Sequence, residues 1–261
     1  MKKIMMSLLL ALVSLTASAE GQDTVGVCWD AHHPFTFTAR LGYSIGGTAP
    51  LPMPATIRGL NSYTLQPNIS LGVDATKHFS AKWGALVGLR FENKGMKEDA
   101  EVKNYHEAIV RGGEELAGQF TGDVTTKVRQ WMFTIPVQAV FSPSRKVDVR
   151  FGPYVSVLVS KGFEGYAHNG YLRQGDPTGP KVMLGDDKET RGDYDFDDEM
   201  RPLQFGLDLG ADWRCYKRLG VYADLSWGLT GVHKSSFKTI EQTLYPIFGT
   251  IGVSYQLGVR R

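Results

Sequence analysis

An all-β fold, an eight-stranded antiparallel up-and-down barrel with its strands crossing a membrane, is what this sequence predicts. Three observations point to it. Period-two alternation of apolar and polar residues recurs eight times. The connections between the eight segments alternate between long and short. The stripe opposite the apolar one is rich in glycine and in charges of both signs.

The chain has 261 residues, with 29 Lys+Arg against 27 Asp+Glu. Leaving out Lys2 and Lys3 of the leader balances the signs, so nothing suggests nucleic acid as a partner. Residues 1–19 read as a signal peptide. Lys2 and Lys3 form a basic start, Ile4 to Leu15 an apolar stretch, and Ala17-Ser18-Ala19 a small-residue cleavage pattern. Residues 20–34 read as a periplasmic lead-in, and 35–258 as one barrel domain. Beyond residue 20 no apolar run approaches the ~18 residues a membrane helix needs, so strands must do the crossing.

The eight segments are 35–46, 63–73, 82–92, 128–141, 147–160, 203–214, 219–230 and 246–257. In the first, Phe35, Phe37, Ala39, Leu41, Tyr43 and Ile45 oppose Thr36, Thr38, Arg40, Gly42, Ser44 and Gly46; in the third, Trp83, Val87, Leu89 and Phe91 oppose Gly84, Gly88 and Arg90. Connections 47–62, 93–127, 161–202 and 231–245 are long, and 74–81, 142–146 and 215–218 short, which is the pattern of an outer-membrane barrel. Pro67, Pro136 and Pro153 fall inside segments, where a closed wall has no edge to excuse a missing donor; bulges are expected there.

A soluble lipocalin-type barrel shares the alternation but turns its apolar stripe inward. The glycine content decides for the membrane, because a solvated face gains nothing from Gly42, Gly84, Gly88, Gly152, Gly206, Gly210 or Gly252, whereas a narrow lumen does. The same stripe carries Arg40, Lys82, Arg90, Arg150 and Arg214 with Glu92, Asp148, Asp208, Asp212 and Asp224, expected as a mutually neutralising lumen network. Phe35, Tyr63, Trp83, Trp131, Phe141, Trp213 and Trp227, near segment ends, are expected as a lipid-facing aromatic girdle.

Three stretches carry a family resemblance: Phe133-Thr-Ile-Pro-Val-Gln-Ala-Val-Phe141, Arg150-Phe-Gly-Pro-Tyr-Val-Ser-Val-Leu158, and Phe205-Gly-Leu-Asp-Leu-Gly-Ala-Asp212 followed by Tyr222-Ala-Asp-Leu-Ser-Trp-Gly-Leu-Thr230. Together they resemble the PorT-like outer-membrane β-barrel family of Gram-negative bacteria. The resemblance implies an eight-stranded outer-membrane barrel with both termini in the periplasm and no catalytic residues. It leaves activity open, since one namesake takes part in a secretion apparatus and fold does not fix function. The chain departs from many outer-membrane barrels by ending Leu257-Gly-Val-Arg-Arg261 rather than on an aromatic residue.

No cofactor is expected, and no catalytic set. Of the histidines, only the adjacent His32-His33 are close in sequence, and adjacent ligands diverge. His233-Lys234-Ser235 is the best start for a lipid-modifying enzyme, without a placed carboxylate partner. Asp193, Asp195 and Asp197 are alternate carboxylates that form a weak candidate Ca²⁺ site. Asp198 and Gln204, at the glycine and closing glutamate positions, exclude an EF-hand. Cys28 and Cys215 both fall at the short-turn end, where a disulfide would tether the lead-in. The expected partners are outer-membrane lipid, envelope or secretion proteins, and an extracellular ligand held by loops 93–127 and 161–202. Work as a structural or binding barrel is the leading expectation, a role in secretion or envelope assembly the alternative.

Overall fold

The computed structural model describes residues 35–237, 239–240 and 243–257. The signal peptide, the lead-in, His32, His33 and Cys28 lie outside the described residues. Eleven strands form one antiparallel sheet: β1 Thr36–Pro50, β2 Ile57–Thr64, β3 Ile69–His78, β4 Trp83–Arg111, β5 Glu114–Ser144, β6 Val147–Gln174, β7 Lys181–Leu184, β8 Gly192–Asp195, β9 Leu203–Tyr216, β10 Leu219–Gly228 and β11 Leu244–Leu257. Eight of them close a circuit in the order β1-β3-β4-β5-β6-β9-β10-β11, with β11 returning to β1 from Phe37↔Leu257 to Pro50↔Leu244. Alternation sets which residues face in: Arg40, Gly42 and Ser44 are buried, while Leu41, Tyr43 and Ile45 stand exposed on the wall.

The greatest departure from expectation lies in the long connections. Residues 93–127 are strand almost throughout, and 161–202 hold the end of β6 with β7 and β8. β4 and β5 run 29 and 31 residues and join at Gly112-Gly113, both at positive φ, where only glycine is unstrained; Arg111 pairs with Glu114 across this two-residue turn. β6 continues alongside to Gln174, β7 adds to it, and β8 lies between β6 and the tip of β4, pairing Val110 with Asp193. The outcome is a folded extension on top of the barrel.

The apolar core sits in this extension. Met96, Val102, Ile109, Phe120, Val124, Val128, Phe163, Leu172 and Leu184 form one buried cluster, joined by Tyr194, Met200 and Val232. The pleat of β5 runs unbroken from barrel to core, but its chemistry inverts. Below Trp131 the buried even positions include Thr134 and Gln138 beside Met132 and Val140; above it, past Gln130, they are the apolar Val128 and Val124. The odd positions change from Phe133 and Ile135 to Arg129 and Lys127. The same inversion occurs along β4, where Arg90, Glu92 and Lys94 give way to Met96 inside and Lys97 outside.

The prolines divide. At Pro67 the second segment breaks into β2 and β3, and the Asn68 side chain takes over the ladder: its Nδ2 donates to Gly95 O and its Oδ1 accepts from Gly95 N, both at 2.8 Å. Tyr63 therefore lies in β2, paired with Glu98 in the extension, rather than in the barrel wall. At Pro136 and Pro153 no bulge forms. Pairs are lost locally, but Val87↔Val137 and Arg90↔Thr134 share one register, as do Pro136↔Tyr154 and Ala139↔Phe151.

Candidate functional site

Inside the wall, six side chains from six strands alternate in sign around a ring. Arg40 on β1 pairs with Asp74 through Nε and with Asp212 through a two-pronged contact at 2.7 and 3.0 Å. Asp212 on β9 also accepts from Arg150 Nε at 2.5 Å, and Arg150 on β6 reaches Asp224 at 2.5 Å. Asp224 on β10 meets Arg90 at 3.2 Å, and Arg90 on β4 closes the ring to Asp74 on β3 at 3.9 Å. Asp208 joins at 3.6 Å from Arg90, and Gln138 bridges Arg150 and Asp208. Arg150 is only 1% exposed. Six charges from six strands thus lie across the interior, each within reach of two opposite charges.

Above the ring, Glu92 accepts from Ser70 and Thr134 and pairs with Lys94 at 3.2 Å; Lys94 also faces the rings of Tyr154 and Phe248. Below it, Arg214 and Asp148 pair at 3.2 Å near the short turns. Lys82 is excluded from the interior, since it precedes β4 in an exposed turn. Asp74 and Lys94 are the network members that sequence reading did not name, and each continues the even-numbered parity past the segment end assigned there. Glycine makes room for two large rings. A Cβ on Gly42 or Gly252, which pair across β1 and β11, would collide with Tyr222, whose ring carries the Arg40 guanidinium at 4.8 Å. Gly206 likewise accommodates Tyr154.

On the outside, Phe35, Trp83, Trp213 and Trp227 are exposed, Trp83 and Trp213 at 55% each. Phe141 packs on Trp83 with ring centroids 4.8 Å apart, and Trp131 stacks on Phe91 at 5.1 Å. Just above Trp131 the wall turns from apolar to charged, with mixed signs: Lys97 is directly opposite Lys127, and Glu164 holds both Lys127 and Arg129, at 3.1 and 3.0 Å.

The extension carries the remaining candidate chemistry. Asp193, Asp195 and Asp197 do not converge. Asp193 pairs with Arg191 at 2.8 Å, Asp195 accepts the Asp197 N–H at 2.9 Å, and Asp197 accepts the Phe163 N–H. Among the described residues no three potential ligands are grouped to hold a metal ion. His168 lies between Asp99 at 2.9 Å and Asp186 at 3.1 Å, with Thr125 also donating to Asp99. Hydrogen bonds from Thr125, Asn61 and His168 outweigh partial burial and hold Asp99 below the usual carboxylate range. His233 packs on Phe163 and Phe237, and burial pushes it down to about 4, so it is neutral and wedged among aromatic rings. Glu107, 2% exposed inside the extension, is pushed up to about 8 by burial, and Glu98 to about 7 for the same reason. Tyr194 is raised well above 10 by burial and by the Glu107 charge. Cys215 is exposed in its strand end, with Sγ 3.6 Å from Leu219 O.

A closed strand circuit, an exposed oily wall and a charged interior define a transmembrane β-barrel. Residues 20–234 match the outer membrane protein beta-barrel domain family, and the chain belongs to that family; its place is the outer membrane. Similar solved structures include CarO2 of Acinetobacter baumannii (11% identity, 85% of this chain and 99% of that one, TM-score 0.42). OprG of Pseudomonas aeruginosa (12%, 86% and 97%, 0.36) and the attachment invasion locus protein Ail of Yersinia pestis (10%, 86% and 98%, 0.35) are similar at the same distant level. No curated protein sequence matches the chain.

Proposed function

We propose that this protein is a surface-display barrel whose work is binding or structural, performed by the extension on the outside of the cell. One observation carries this reading: the largest apolar core of the molecule lies above the wall, where crossing the membrane does not require it. A chain needing only an anchor could join its strands with short turns. A rigid sheet of this size presents a surface of fixed shape, the usual basis of recognition. The interlocked charges inside speak against general conductance. The short-turn end faces the periplasm in this reading, as in outer-membrane barrels at large.

Three results test it. Protease added to intact cells should cut near Gly112-Gly113 and leave the wall intact; cleavage only in broken cells reverses the orientation. Planar-bilayer recordings should show no conductance steps. Replacing residues 98–126 with an Asn-Gly turn should leave a barrel that still migrates differently before and after boiling, but abolish binding on an array of surface glycans and matrix proteins.

The likeness of the 133–141 and 150–158 stretches to PorT-like barrels favours a second reading, a component of a secretion or envelope-assembly complex. In that case the barrel co-purifies with other envelope proteins whether or not residues 98–126 are present.

A further inference from the structure

The balanced charge of the chain conceals three short turns of a single sign, beside which the carboxylate Asp148 is held by Arg214 and Ser142. The three short turns carry Lys77, Lys82, Arg145, Lys146, Lys217 and Arg218. No Asp or Glu occurs in 75–91, 124–147 or 213–223, the stretches that contain them. The opposite end mixes its signs, with Lys127 and Arg129 answered by Glu164.

The backbone that carries these cations is fixed in position. Phe79 and Ser80 both donate backbone N–H groups to Trp83 O, at 2.9 and 3.1 Å, closing the first turn tightly. Each turn is also fastened to the neighbouring strand at 2.8 Å: Ser142 N to Lys82 O, Arg214 N to Lys146 O, and Gln256 N to Arg218 O. The turns are so short that the charges lie within a few residues of Trp83, Phe141 and Trp213 on the wall. Two aromatic side chains stand among them, Phe79 at 63% and Tyr216 at 64% exposure. Lys217 Nζ lies 5.7 Å from the Tyr216 ring, and Lys77 Nζ 5.6 Å from the Phe35 ring.

We propose that this circle of cations binds the phosphates of acidic phospholipids in the leaflet facing the short turns. Aromatic rings with an apolar body settle at the headgroup level, and cations held at that depth meet lipid phosphate. A soluble protein partner would call for a surface that projects from the bilayer, and turns of this length do not project. The inference rests on reading the chain as membrane-inserted with this end in the periplasm. Lipid preference in vesicles does not depend on which way the barrel faces, so a wrong orientation and a wrong lipid assignment fail in different experiments.

The test is electron spin resonance on the full chain reconstituted in vesicles, comparing spin-labelled phosphatidylglycerol with phosphatidylcholine. The expected association ratio is about two- to fivefold in favour of phosphatidylglycerol, given the attraction typical of a clustered basic segment. It should fall to about one in the combined Lys82→Gln, Arg145→Gln, Lys146→Gln variant, checked for folding by its unheated gel mobility. The combined Lys97→Gln, Lys127→Gln, Arg129→Gln variant, at the other end, should keep the preference. Raising salt from about 0.1 M to about 1 M shortens the screening length from about 10 Å to about 3 Å and should erase the preference of the unmodified protein, which keeps the test open if the first variant does not fold. A ratio of one in the unmodified protein, a ratio indifferent to salt, or loss in the second variant rather than the first overturns the proposal. So does charge-dependent capture of soluble peptidoglycan fragments by a barrel that shows no lipid preference.

Discussion

Replacing Glu107 with Gln should remove a pH-dependent weakness from the extension. The carboxyl is buried between β-strands, its Oε2 has no hydrogen-bond partner among the described residues, and burial pushes it up to about 8 from an ordinary value of 4.5. A carboxyl raised in the folded state is bound more tightly to its proton there than in the unfolded chain. The folded extension is therefore favoured below about pH 4.5 and loses stability as pH climbs from there towards 8. Taking about 1.4 kcal/mol for each unit, the loss is under about 1 kcal/mol at pH 5, about 3 at pH 7 and about 4 at pH 8. Glu98, pushed up to about 7, adds a loss of the same sign. Amide hydrogen exchange followed across a urea series reads the extension separately from the wall, because residues 96–128 and 161–200 can be monitored apart from the barrel strands. The unmodified protein should become easier to unfold from pH 5 to pH 8, and Glu107→Gln should flatten most of that slope. Equal slopes in the two proteins would refute the assignment of a buried, unpaired carboxyl.

Arg150→Met leaves Asp212 and Asp224 each short of a partner. Breaking one member of a buried charge network costs about 3–5 kcal/mol, to be seen as a lower temperature for loss of the unheated gel form. Asn68→Ala removes both contacts to Gly95 and should cost about 2 kcal/mol, with amide exchange around Gly95 accelerating before that of the lower wall. Gly42→Val drives a side chain into Tyr222 and Thr250 and should cost about 1–3 kcal/mol by the same thermal gel assay. His233 has the opposite sign to Glu107. A base pushed down to about 4 supplies stability that is present above pH 6.5 and lost as pH falls through 4, so His233→Phe should flatten the acid limb of the extension's urea midpoint.

Strand location was legible because the pleat is strict: Trp83, Val87 and Leu89 against Gly84, Gly88 and Arg90 allows one registration of inside and outside. The extension was not legible by the same rule, because the rule sought apolar residues at odd positions. From Met96 onward the alternation persists in opposite chemistry, with Lys97, Asp99, Glu101 and Lys103 against Met96, Ala100 and Val102. Read for parity alone, β4 would have continued past Glu92, and Lys94 would have joined the interior. Gly112-Gly113 is a hairpin signal of the ordinary kind, masked because the flanking strands carry few apolar residues at odd positions. Asp74 escaped because its segment was ended at Val73. The pairings of the interior ring are a different matter: parity puts each charge indoors, but which arginine meets which aspartate depends on the stagger of strands far apart in the chain, as with Arg40 and Asp212.

The inversion of chemistry along β4 and β5 acts as a waterline. Were the protein to ride deeper in the bilayer by one residue pair, Arg129 and Lys97 would be drawn towards hydrocarbon; riding higher would lift Phe91 and Trp131 into water. The draught of the vessel is thus written into its planking, and a thicker or thinner bilayer must yield to it.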